Sequence, residues 1–148
     1  DYMYVHARSS LAETSTPAVF SISDTASTAQ NVSFLDGDLD GHQLAGTITW
    51  AEPAEQSQLT HYLVYFAESA AGASRSQLGA ELAVGTREAE VPGEFEKGSF
   101  THIVVYTRST LVEQTTPAAL AIVDVNLAVA GINFLDEDLD GLEVAGYV

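Results

Sequence analysis

Apolar and polar residues alternate with a period of two along most of this chain. Residues 2–9 (Tyr-Met-Tyr-Val-His-Ala-Arg-Ser) put Met3, Val5 and Ala7 on one face and Tyr4, His6 and Arg8 on the other, the period of a strand. Further strands are expected at 18–24, 32–35, 44–50 (stopped by Pro53) and 59–67, where Tyr62, Val64 and Phe66 share a face. The Ala-, Gly- and Ser-rich stretch 70–83 predicts at most a short strand at 75–78. A strand over 84–91 should run into Pro92-Gly93, and two more are expected at 101–108, with Ile103, Val105 and Thr107 inward, and at 119–124. Turn signals separate these segments and no helical period intervenes, which predicts an antiparallel all-β fold with about seven short strands per hundred residues.

The pattern also repeats. Phe34-Leu-Asp-Gly-Asp-Leu-Asp-Gly41 returns as Phe134-Leu-Asp-Glu-Asp-Leu-Asp-Gly141, and Ala45-Gly46 returns as Ala145-Gly146. Ser9 to Ala18 is answered by Ser109 to Ala118. Laid over residues 101–148 without a gap, residues 1–48 agree at about 19 positions, far above chance. A period of one hundred residues is large enough to close its own core. The expected organisation is therefore 1–24 as the last two strands of a preceding repeat, 25–31 as a linker and 32–131 as a complete repeat. Within the last, 125–131 is a second linker, and 132–148 is the first two strands of a following repeat. End pieces of this kind expose unpaired edges, so a segment of a longer array is favoured over chains completing one another.

Thr49-Trp50-Ala51-Glu52-Pro53, leading into Tyr62-Leu-Val-Tyr-Phe66, resembles a fibronectin type III domain. The likeness rests on a Trp ending the second strand just before a Pro and on a Tyr-x-Val pattern in the third. It extends to the alternation of Ile103, Val105 and Thr107 before a polar loop, and to Thr116-Pro117 entering the last strand. The resemblance implies an immunoglobulin/fibronectin III-like β-sandwich, here in tandem repeats of about 100 residues. In one departure, the family's usual Tyr at the start of the sixth strand is Thr101. The Asp-rich opening is not a family feature, and is similar to that of tandem repeats in very large surface proteins of unicellular algae.

The formal charge is −16, from 21 acidic and 5 basic residues. It excludes the basic patch that nucleic acid requires and works against anionic membrane surfaces. No apolar run reaches membrane-spanning length. With no cysteine, disulfides and thiolate metal sites are excluded. Asn31-Val32-Ser33 is a glycosylation sequon, making Asn31 a candidate acceptor.

The acids gather where the repeat is strongest. Asp36, Asp38 and Asp40 followed by Gly41 give D-x-D-x-D-G, and Asp136, Asp138 and Asp140 followed by Gly141 give it again. Hard cations such as calcium take six to eight oxygen ligands, which alternate carboxylates beside a turn-forming Gly supply. The loop is not an EF-hand, because the twelfth positions are Thr47 and Tyr147 rather than Glu. Further ligands are expected from Asp24 beside Asp36–Asp40 and from Asp124 beside Asp136–Asp140, so that calcium would stiffen a junction between repeats. The alternative is a solvated acidic turn in which Asp and Gly serve turn geometry.

A second expectation concerns the strand faces turned away from the core. Tyr4 and His6 in one copy, and His102, Val104 and Tyr106 in the other, should form with Leu63 and Tyr65 an outward aromatic stripe, the mark of a contact surface. Catalysis finds no support. His6, His42, His61 and His102 have no zinc spacing, and no nucleophile elbow is present. The expectation is a non-enzymatic, extracellular or cell-surface structural repeat of a filament, stalk or appendage. Its partners would be copies of itself, head to tail and lateral. The alternative is an adhesin holding a glycan or protein ligand.

Overall fold

The computed structural model describes residues 1–147; Val148, the end of the segment 132–148, lies outside the described residues. Twelve strands and no helix are formed among them, and every pairing is antiparallel. One sheet takes β3 (Gln30–Phe34), β4 (Gln43–Ala51) and β8 (Glu88–Glu96), with β4 in the middle. A second runs β10 (Ala118–Ala121), β9 (His102–Arg108), β5 (His61–Ala67), with β6 (Ser76–Gln77) and β7 (Leu82–Ala83) both on the far edge of β5. Side chains of both sheets meet in one core. Leu44, Ile48, Trp50 and Val91 come from the first sheet, and Tyr62, Val64, Phe66, Ile103 and Val105 from the second. The alternation within β4 accounts for its half: Leu44, Ile48 and Trp50 are buried, while Thr47 and Thr49 are exposed.

β5 and β9 behave differently, being buried on both faces. Leu63-Val64-Tyr65-Phe66 and Ile103-Val104-Val105-Tyr106 are continuous apolar runs, the sequence form of a strand with no solvent side. They lie side by side in register, Leu63 opposite Tyr106 and Tyr65 opposite Val104. Burying a side chain of this size contributes about 1.5–3 kcal/mol, so this pair of strands is the centre of the fold.

The strand expected at 84–91 is displaced. A turn at Val84-Gly85, with Gly85 at φ 94°, takes the place of the strand's start, and β8 begins at Glu88 and continues through Pro92-Gly93 to Glu96. Pro92 is accommodated because β8 is at the edge of its sheet and the β4–β8 register shifts between Leu44 and Gly46. An edge or a bulge is where a residue without an N–H donor fits. Glu94, at φ 61°, completes the irregularity.

Two hairpins stand outside these sheets. β1 (Tyr2–Val5) pairs with β2 (Ala18–Ser21), and β11 (Leu135–Asp136) with β12 (Gly146–Tyr147). The strand expected over 2–9 thus stops at Val5, and the chain beyond it is held by an Arg8–Glu13 bridge. Arg108 and Glu113 make the same bridge one hundred residues later. In β1, Met3 is 52% and Val5 58% exposed, whereas the corresponding Ile103 and Val105 of β9 are fully buried.

Candidate functional site

The acidic turn leaves β3 at Phe34 and enters β4 at Gln43. Its carboxylates face backbone amides. Asp36, only 6% exposed, accepts N–H bonds from Asp38 and Ala45 at Oδ1 (both 3.1 Å) and from Val125 at Oδ2 (2.9 Å). Asp38 accepts from Asp40 at Oδ1 (3.0 Å) and from Glu94 at Oδ2 (3.3 Å). This is the geometry of successive Asx turns, in which a short carboxylate replaces a backbone acceptor two residues on. Gly46 follows from the same packing. Its φ is 142°, and a Cβ there would come within 2.6 Å of the Leu35 carbonyl oxygen.

The chain after β10 closes over this turn. The Asp124 carboxylate takes the His42 N–H (3.1 Å to Oδ2) and the Lys97 ammonium (3.0 Å). The Lys97 hydrogen bond, joined by that from His42, holds the Asp124 pKa below the usual carboxylate value. Leu127 donates to the Leu39 carbonyl (3.0 Å), and Asn126 lies against Gly41. Asp124 therefore meets the first acidic turn, through His42, and not Asp136–Asp140 as expected. β10 lies near β3, so the chain leaving β10 reaches the turn that follows β3 first. Asp24, its counterpart, is exposed.

The second acidic turn copies the first. Asp136 accepts from Asp138 (3.0 Å) and Ala145 (3.1 Å), and Asp138 from Asp140 (2.8 Å). Gly146 is constrained as Gly46 is, against the Leu135 carbonyl. Asp36, Asp38, Asp40, Asp124, Asp136, Asp138, Asp140 and Asp24 are not drawn into ligand cages. Among the described residues no group of three or more His, Cys, Asp or Glu is arranged to hold a metal ion.

The aromatic stripe is covered rather than open. Leu63, Tyr65, Ala67, Val104 and Tyr106 form a second buried cluster, with Leu63 at 4%, Tyr65 at 8% and Tyr106 at 3% exposure. The Arg75 guanidinium lies 4.5 Å from the centre of the Tyr65 ring and 4.3 Å from that of Tyr106. It is paired to Glu113 at 2.7 Å, and the Tyr65 hydroxyl donates to the same carboxylate at 2.8 Å. Burial, and then the bond to Glu113, push the Tyr65 phenol up to about 12. Tyr106 donates to the Ala71 carbonyl (3.3 Å), so the loop before β6 acts as a lid. The expectation failed because the short strand expected at 75–78 brings Arg75, which caps both rings, and strand alternation does not show what covers a face. His102 is half-buried, with Nδ1 2.8 Å from the Thr101 hydroxyl. Tyr4 and His6 remain exposed, His6 Nδ1 lying 2.7 Å from the Thr14 carbonyl.

Residues 25–31 are also more than a tether. Ser27 donates to the Glu55 carbonyl (2.6 Å), the Thr107 hydroxyl donates to the Ser27 carbonyl (2.6 Å), and Gln114 donates to the Thr28 hydroxyl (2.6 Å). Ala29 enters the core. Of Arg75, Lys97, Glu113 and Gln114, which sequence reasoning missed, only Glu113 recurs in the other copy, as Glu13. Asn31 sits exposed on β3 at φ 50°, beside the register shift between Gln30 and Ser33. No protein-family model matches this chain, and no curated protein matches it.

Proposed function

We propose that this chain is a structural repeat unit of an extracellular filament, stalk or surface appendage. It would be built of fibronectin III-like β-sandwiches in tandem with a period of about 100 residues. What supports this reading is which residues recur. Among them are residues that hold backbone in place: Asp36 and Asp136 with Asp38 and Asp138 in the turns, Gly46 and Gly146 at the close strand approach. Ser9 and Ser109 each cap their loop through the N–H groups two and three residues on. Positions free of that duty drift, such as His42 against Leu142. An adhesin would be expected to vary its loops between copies, whereas a mechanical unit keeps them as scaffold.

Imaging tests the reading. Polypeptides holding one to four copies of residues 32–131 between residues 1–31 and 132–148 should appear in negative stain as rods that lengthen by a constant increment per copy. Collapsed particles of no fixed length, or tight glycan binding by a single copy, would favour the adhesin instead.

A further inference from the structure

Each linker is seen attached at only one of its ends, and the two attachments are complementary. At 125–131 the first residues are docked, with Asp124 just before them: Val125 N–H on Asp36, Asp124 on His42 and Lys97, Leu127 N–H on the Leu39 carbonyl. In 25–31 it is the second half: Ser27 on Glu55 and Thr107, Thr28 on Gln114, Ala29 in the core. The hundred-residue register places Ser27 and Leu127 at one position. That residue's N–H binds the acidic turn of the unit before it, and its carbonyl accepts the Thr107 hydroxyl of the unit after it. Both bonds use backbone atoms of the linker, so the exchange of Ser27 for Leu127 leaves them intact.

We infer that successive units abut through a single shared residue, the acidic turn of one seating against the opposite end of the next. This rests on the tandem reading above. One residue spans only about 3.8 Å between neighbouring Cα atoms, so the joint has no slack. The receiving surface is a groove of about 240 Å³ beside Ala26, Ser27, Gln58, Leu59 and Val112. Its occupant is a second copy of this same repeat, presenting Leu39, which is 54% exposed on the tip of the acidic turn although apolar.

The chain has no cysteine, so labels can be placed singly. The test uses the full chain with its repeat doubled, residues 1–131 followed by 32–148. It carries Glu96→Cys in the first copy and Ala54→Cys in the second, exposed positions beside the joint but outside the groove, both spin-labelled. One short, narrow distance distribution is expected. Thr107→Val in the second copy should broaden it, while Thr107→Ser, which keeps the hydroxyl, should not. A broad or long distribution in the parent overturns the shared-residue joint. It leaves the structural reading standing if rods still lengthen by constant steps in images, so the two failures are distinguishable.

Discussion

Asp36 concentrates the chemistry of the acidic turn in one side chain. Three N–H groups converge on a nearly buried carboxylate, and one of them comes from Val125, 89 residues away. Hydrogen bonds to a charged acceptor contribute about 1.5–3 kcal/mol each at most, and orphaned donors add to the loss. Asp36→Ala should therefore lower unfolding free energy by about 3 kcal/mol in urea titration. Asp136→Ala, whose exposed carboxylate is seen with two of those three donors, should cost less than half as much. The turn itself was legible in the sequence, since D-x-D-x-D-G twice over cannot be overlooked. What its oxygens face was not, because that depends on a partner no local spacing announces. At Asp124 the depressed pKa gives a sign: its stabilising bonds persist above the ordinary carboxylate value and are lost as pH falls through the depressed one. Lys97→Met should flatten that acid limb of the stability profile.

At the scale of elements, β5 and β9 explain both what the pattern revealed and what it hid. The inward set Tyr62, Val64, Phe66, Ile103 and Val105 was legible from its alternation alone. The other face was misread as open because period two assigns faces without saying what covers them. Arg75 covers them here, stacked over both rings and paired with Glu113. Arg75→Ala should cost about 1–2 kcal/mol and raise the fluorescence quenching of Tyr65 and Tyr106. Arg75→Lys should recover only part, since a point charge cannot cover two rings and hold a carboxylate at once. Tyr65 adds a pH signature. Its phenol titrates near 10 when unfolded and near 12 when folded, so stability present below pH 10 is lost as pH rises from 10 to 12. The fall in urea midpoint over that window should be smaller in Tyr65→Phe. Pro92 shows the opposite limit: it was taken as a strand end, yet an edge strand with a bulge carries it through.

For the whole molecule, repetition at a fixed offset is the strongest single fact, and it was fully legible. What the sequence could not order was the linkers. The small polar stretch 25–31 reads as a loose tether and 125–131 as its counterpart, although residues 27–29 and 124–127 are each tied down by specific bonds. Gly46→Ala should test how far the turn and strands act together: with a Cβ forced against the Leu35 carbonyl at positive φ, it should cost more than about 2 kcal/mol and loosen residues 124–127 with it. The most direct measurement is small-angle scattering on the doubled-repeat polypeptide, in calcium and then in excess chelator. If the chain's own hydrogen bonds set the joint, the profile is that of one stiff rod in both solutions. Two bodies moving independently on a tether in both would contradict the account, and a rod seen only with calcium would assign the stiffness to a cation instead.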